Sequence, residues 1–147
     1  EKTTGQSLHD QMSVLGSKLI IKALIGIYSG QLIPQPQSNQ GVTYAAKLEK
    51  EDGRINWAKT SIEIDRQVRA LSISPGAWFE HGDVRIKVLK SRSISGSGKP
   101  GQVIDGLSFF CGNGVLQLEM LQRPGKKPMS AAEFLNGYQM PSGTVLI

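Results

Sequence analysis

The spacing of apolar residues changes along the chain from a helical period to an alternating one. Leu8, Met12, Leu15 and Leu19 recur at intervals of four, three and four, which is one helix face. From Leu19 to Tyr28 apolar residues go almost all the way round, and such a helix wants burial on several sides. Ser7 stands where an N-cap belongs, Asp10 falls in the favourable first turn, and Gly30 suits a C-terminal stop. The pattern predicts a helix over roughly 8–29, followed by the breaker Pro34-Gln35-Pro36. Little chain precedes this helix, so its partners are expected in a larger body; a bare helix would count against that expectation. A second helix is predicted from Thr60 or Ser61 to about Leu71. Its apolar positions are Ile62, Ile64, Val68 and Leu71, and Asp65 and Arg69 make an i,i+4 pair.

After the turn at Pro75-Gly76 the period becomes two. Ala77 to Glu80 leads through His81-Gly82-Asp83, a hairpin turn, into Val84–Lys90. Val84, Ile86 and Val88 share one face of that strand; Arg85 and Lys87 share the other. Ser93–Gly101 is rich in serine and glycine and reads as a loop. Val103-Ile104, the turn Asp105-Gly106 and Leu107–Cys111 make a further strand pair. Gly112-Asn113-Gly114 signals another hairpin. In the next strand Leu116, Leu118 and Met120 are expected inward, with Gln117 and Glu119 outward. Ser130 and Glu133 spell a capping box for a short helix to about Asn136, ended by Gly137. Thr144–Ile147 reads as a last strand. Five or six short strands with one short helix predict a mainly β fold with α elements, a small closed barrel of OB type; alternation by itself leaves a sandwich open.

Between the two patterns lies Thr43–Trp57, TYAAKLEKEDGRINW. It has little apolar period and alternates in sign, so it is expected to stay solvated and run over a surface. Asp52-Gly53 marks a tight turn, and Tyr44, Leu48, Ile55 and Trp57 are the expected anchors. This divides the chain into a long helix and tail over 1–42, a linker over 43–57 and a barrel domain over 58–147.

Composition narrows the function classes. The 147 residues are 39% hydrophobic and 20% charged, a globular balance. The lone Cys111 excludes an internal disulfide and suits a reducing compartment. With His9 and His81 it cannot supply a zinc site of the usual Cys/His kind, and no metal site is expected. No signal-peptide pattern opens the chain at Glu1. The apolar run from Leu19 to Tyr28 is broken by Lys22 and spans about half the ~20 residues of a membrane helix. The chain reads as a piece of a longer cytoplasmic protein, with no membrane partner.

Charge placement adds more. Net charge is +5, and residues 84–147 hold eight Lys/Arg against three Asp/Glu, while residues 1–83 balance. A basic surface on one body suits a polyanion, through phosphate contacts and counterion release. Charge alone leaves plain solubility equally open. Catalytic candidates are poor. His9 and Asp10 are helix neighbours that are not expected to face each other. His81 reads as a solvated turn residue, and Cys111 as small apolar filler on the Leu107/Phe109 face. No nucleophile stands with a base, and no Gly-rich phosphate loop follows a strand.

Four stretches carry a resemblance: TYAAKLEKEDGRINW, QVRALSISPGAW at 67–78, FFCGNGVLQLEMLQRPGKKPMSAAEFLNG at 109–137, and PSGTVL at 141–146. In order and spacing they resemble the C-terminal part of the methionyl-tRNA formyltransferase family, from Leu8 on. The family has an Asn-Pro-Trp-Pro-Gly-like run where this chain has Ser72-Ile73-Ser74-Pro75-Gly76; the turn is kept and an aromatic is lost. The resemblance implies an OB-like barrel, and makes the first helix the last one of an N-terminal catalytic domain. It implies 10-formyltetrahydrofolate as formyl donor and initiator methionyl-tRNA as acceptor in the parent enzyme. The family's Asn, His and Asp, with its Ser-Leu-Leu-Pro-like motif, have no match here. No catalytic or cofactor-binding residue is therefore assigned to this chain.

Three groups of cations are the candidate tRNA contacts. Lys47, Lys50 and Arg54 lie in the stretch matching the family's linker, which the resemblance implies faces the tRNA. Arg85, Lys87, Lys90 and Arg92 lie on or after a barrel strand. Arg123, Lys126 and Lys127 form a loop. Contacts of this kind grip phosphates and carry no sequence information. The alternatives are the barrel of a sugar-nucleotide formyltransferase and a non-catalytic protein-interaction barrel with an incidental basic face. The GKKPMSAAEFLNG stretch and the charge concentration argue against the first, and the salt dependence of binding discriminates among the readings.

Overall fold

The computed structural model describes residues 2–72 and 74–146. Ile73, within the Ser72-Ile73-Ser74 departure, and Ile147, at the end of the predicted last strand, lie outside them.

Helix α1 spans Gly5–Tyr28. Its N-cap is Thr4, not Ser7: the Thr4 hydroxyl accepts from the Ser7 N–H at 3.1 Å, and Ser7 Oγ accepts from the Thr4 N–H at 2.9 Å. The reciprocal box forms one turn earlier than predicted because Thr4 and Ser7 have the required three-residue offset. Gly30 ends the helix with φ 71°, a conformation glycine adopts without a Cβ clash. At 24 residues α1 covers nearly all of the predicted span and starts three residues earlier. Its most apolar window has a mean hydropathy of 1.2, long and apolar enough by length and composition to cross a membrane. Among the described residues α1 stands bare, which counts against the expected burial on several sides. Leu15, Leu19 and Leu24 are exposed, and Gly26, covered by Leu32, is the helix's buried residue. Among the described residues, the N-terminal end holds it to the body: the Gln6 N–H donates to Ser72 Oγ at 3.1 Å, and Arg69 Nη1 donates to the Thr3 carbonyl at 2.9 Å.

A one-turn 3₁₀ helix, Lys50–Gly53, precedes helix α2, Ser61–Ala70. Thr60 caps α2, and its hydroxyl and N–H hold the Glu63 carboxyl below its ordinary pKa. Ile64 and Val68 are buried as expected, but Ile62 is exposed. Ser61 takes the inward position instead, bonded to Ser93 Oγ at 2.6 Å. The Asp65–Arg69 pair forms at 3.0 Å. Asp65 also accepts from Ser91 Oγ at 2.9 Å, tying the helix to the sheet.

The strands are β1 Ala77–His81, β2 Val84–Ile94, β3 Val103–Asp105, β4 Ser108–Phe110, β5 Val115–Gln122 and β6 Met129–Ser130; α3, Ala131–Gly137, follows. They form one antiparallel sheet in the order β1-β2-β5-β4-β3, with β6 beside β5. It curls into a half-barrel, in keeping with the OB-like β fold with α elements expected, though the ring is not closed. Among the described residues, 144–146 form no regular strand at the β3 edge: Val145 makes a single bridge to Gln102. β2 outruns its predicted end at Lys90 and takes in Ser93 and Ile94. Val84, Ile86 and Val88 face inward as the alternation requires.

The core is an aromatic cluster wrapped by aliphatics. Trp57 stacks on Phe109 with centroids 4.7 Å apart, and Phe79 lies 5.8 Å from Trp57 and 5.6 Å from Phe109. Ile64, Val68, Ile86, Leu116, Leu118 and Phe134 join it. Of the four expected linker anchors, Ile55 and Trp57 are buried here, while Tyr44 and Leu48 are exposed. Cys111 is core filler as read, and burial pushes its thiol up to about 11.

One inward position is corrected. Met120 is exposed and Leu121 is fully buried. The β2–β5 register slips between Val88/Lys90 and between Lys90/Ser91. A slip of one residue exchanges the two faces of a strand, so strict alternation from Leu118 fails at this point. Leu121→Ala should therefore cost about 2–5 kcal/mol in denaturant unfolding, and Met120→Ala under about 1 kcal/mol. In thiol labelling at pH 8, Cys111 should react only at the rate of global opening; fast labelling of the native protein would contradict its burial.

Candidate nucleic-acid interface

The hairpin β1–β2 sets the surface chemistry. Its register places Trp78 opposite Lys87 and Glu80 opposite Arg85. These side chains share the face away from the core, because Ala77, Phe79, Ile86 and Val88 occupy the other. Trp78 is nevertheless 2% exposed. The Lys50–Gly53 turn and the segment after it lie across it. The indole N–H donates to the Lys50 carbonyl at 2.9 Å, and the Ile55 N–H donates to the Trp78 carbonyl at 2.8 Å. Gly53 is required here: a Cβ on it would stand 2.9 Å from the indole Cδ1.

Arg85 lies over this indole, with its guanidinium carbon 3.7 Å from the ring centroid; Arg54 lies 5.7 Å away. Glu80 stands 3.5 Å from Arg85 and 3.7 Å from Arg54, and Glu51 stands 3.8 Å from Arg85. These are exposed pairs, each worth at most about 1 kcal/mol. They order the side chains without removing them from solvent.

Beside Arg85 runs a groove of about 320 Å³ lined by Arg85, Lys87, Gln122, Arg123, Pro124 and Gly125. Arg123 also lines a neighbouring depression with Asp83, Pro124 and Lys126. Three cations from two distant stretches thus converge on one groove, and a fourth adjoins it. Arg54 and the Lys50 backbone join through Trp78. Lys90 and Arg92 stand apart, three to five residues farther along β2, roughly 10–17 Å. Both lean on Glu119, at 2.7 and 3.7 Å, and Arg92 also donates to Gln117 at 2.6 Å. Lys47 and Lys127 are exposed and line neither of these two depressions.

Several contributors escaped the sequence reading. His81 is half-buried, not a free turn residue: its Nδ1 is 2.8 Å from the Tyr138 hydroxyl. Burial raises the pKa of that hydroxyl. Arg123 lies 5.7 Å from the Tyr138 ring. The hairpin turn at Gly82-Asp83 is the signal that could have found Trp78 and Glu80, since it fixes which residues oppose Arg85 and Lys87. No comparable signal links Tyr138 to His81. His9 and Asp10, expected to point apart, meet at 3.3 Å on the exposed side of α1. Asp10 also accepts from Gln6 Nε2 at 2.8 Å, and the contact is a surface pair on an exposed helix face. Among the described residues no cluster of His, Cys, Asp and Glu could hold a metal ion.

Comparison with known proteins adds the family. Residues 47–139 match the family described as "Formyl transferase, C-terminal domain". The methionyl-tRNA formyltransferase of Cereibacter sphaeroides is 44% identical over 142 residues, 97% of this chain and 46% of that protein. The protein of the same name from Ruegeria pomeroyi is 46% identical over 147 residues, 99% of this chain and 48% of that protein. The chain spans about half the length of the curated relatives it matches. Among solved structures, HypX from Aquifex aeolicus in complex with tetrahydrofolic acid superposes with a TM-score of 0.58 at 21% identity, over 86% of this chain and 26% of that one. That likeness concerns the fold. The match over residues 47–139 spans the half-barrel, the Lys50–Gly53 turn on Trp78 and the cationic groove, and the chain belongs to the formyl transferase C-terminal domain family.

Proposed function

We propose that this chain is the tRNA-holding part of a methionyl-tRNA formyltransferase, a cytoplasmic enzyme of translation initiation. The parent would move a formyl group from 10-formyltetrahydrofolate to the amino group of methionyl-initiator-tRNA. This chain takes no chemical step. It seats the tRNA body so that the acceptor end reaches a catalytic domain formed by other residues, and the gain is one of position and orientation. Residues 1–42 are the last helix and tail of that domain, which would cover the apolar faces of α1. Residues 43–57 are the linker, and residues 58–147 the tRNA-facing barrel.

The observation that carries this reading is the convergence of Arg85, Lys87 and Arg123 on one groove, with Lys126 beside it. The relatives' names supply the nucleic acid. The sugar-nucleotide and protein-interaction readings draw no such support. Cations on a solvated face release condensed counterions when they meet phosphates, so binding depends steeply on salt. The candidate contacts then differ in weight. Lys87, Arg123 and Lys126 have no carboxylate within 4.0 Å among the described residues. Lys90 and Arg92 share Glu119 and contribute less.

Initiator tRNA affinity should fall log-linearly with salt, by about 0.7–0.9 log unit per phosphate neutralised. Replacing Lys126 and Lys127 together by alanine should lower affinity and flatten that slope; filter binding across a salt series reads both, and an unchanged slope removes the loop from the interface. Glu119→Gln should release Lys90 and Arg92 and raise affinity about two- to fivefold at low salt, with the gain shrinking as salt screens it. A loss of affinity in that variant would take the Lys90 face out of the contact.

A further inference from the structure

Two arginines on the same groove are each held against an aromatic ring. The Arg85 guanidinium sits 3.7 Å from the Trp78 centroid. Trp78 cannot swing away, because it is buried and its N–H is committed to the Lys50 carbonyl. The Arg123 guanidinium sits 5.7 Å from the Tyr138 centroid. Tyr138 is fixed in turn by His81, through Nδ1 at 2.8 Å and through the His81 carbonyl, which accepts from the hydroxyl at 3.2 Å. Arg123 donates from Nη1 to the Gly137 carbonyl at 3.4 Å, while its Nε is buried with no protein partner. Lys87 completes the set from β2, paired in register with Gln122 of β5. The groove, about 320 Å³, has room for a tetrahedral oxyanion and its waters.

We infer that this groove is a seat for one backbone phosphodiester, gripped by Arg85 and Arg123 as pre-oriented forks with Lys87 as a point charge, and that Trp78 and Tyr138 are the positioning residues that orient the two forks. The inference rests on the tRNA reading above and goes beyond it by separating this seat from the rest of the basic surface. A guanidinium offers paired N–H groups matched to a phosphate; an ammonium offers charge without that geometry. An aromatic ring beneath the guanidinium reduces the side-chain freedom lost on binding. Glu80 and Glu51 hold Arg85 only through exposed contacts, so an arriving phosphate can replace them. Lys126 and Lys127 stand on a loop and, among the described residues, face no ring in contact range, so they supply charge alone.

The test is a set of substitutions that keep charge and change geometry, made in the full-length protein. Arg85→Lys and Arg123→Lys should each weaken initiator tRNA binding about five- to tenfold while leaving the salt slope unchanged. Lys127→Arg, the comparison, should shift affinity less than about twofold. Thermal melting checks that each variant is folded, and because Arg85 and Arg123 lie on different elements, failure of one variant to fold leaves the other to decide. Trp78→Phe, which keeps a ring, should bind more tightly than Trp78→Leu at matched folded fraction. Parent-like affinity in both arginine variants, with a normal salt slope, overturns the seat and leaves the tRNA reading standing. Absence of salt-dependent tRNA binding by the parent protein overturns that reading, and the seat falls with it.

Discussion

Residues 50–57 lie along the outer edge of β1, and the indole of Trp78 is trapped between that segment and Arg85. This one crossing joins both faces of the barrel. On the inner side it delivers Ile55 and Trp57 to the core, where Trp57 stacks on Phe109. On the outer side it closes over Trp78 and gathers Arg54, Glu80 and Arg85 around a single ring. Alternating burial of Gly53, Ile55 and Trp57 is what a strand with one face on a core requires, and the segment runs parallel to β1 through the Arg54–Trp78 bridge. The interior of the barrel and its charged exterior thus share one support.

That arrangement explains how a surface with many carboxylates can still present positive charge. Glu51, Glu80 and Glu119 sit among the cations and draw some of them into local pairs. Such pairs in high dielectric hold direction more than energy. The groove cations Lys87 and Arg123 escape pairing, because β2 and the loop after β5 approach each other with no acidic residue among those lining the space. The uneven placement of charge along the chain becomes an uneven surface through the pairing of β2 with β5.

Elements with strong local signals were legible in the sequence. The capping residues of α2 and α3, the glycine turns and the inward set Val84, Ile86 and Val88 follow from spacing, since each is decided by neighbours within a few residues. What failed was decided at a distance. Met120 and Leu121 exchanged places because the slip belongs to a pair of strands, and neither strand alone records it. Ile62 is a local case: it stands across the helix from Ile64, while Ser61, Ile64, Val68 and Leu71 share the buried face. The barrel stays open because residues 144–146 reach the β3 edge by a few backbone bonds and not a ladder. Of the candidate site, the cations could be named from the sequence, and the hairpin turn fixes Trp78 opposite Lys87; Tyr138 could not, since no local signal links it to His81.

Residues 33–48 have a further property. Among the described residues they make no backbone hydrogen bond to the helix behind them or to the barrel ahead. Such a stretch acts as a tether whose length enters the free energy only logarithmically, and doubling it costs about 0.6 kcal/mol. Residues added to or removed from that tether would therefore cost little free energy, while the bonds of Gln6 to Ser72 and of Arg69 to Thr3 keep the start of α1 beside the half-barrel.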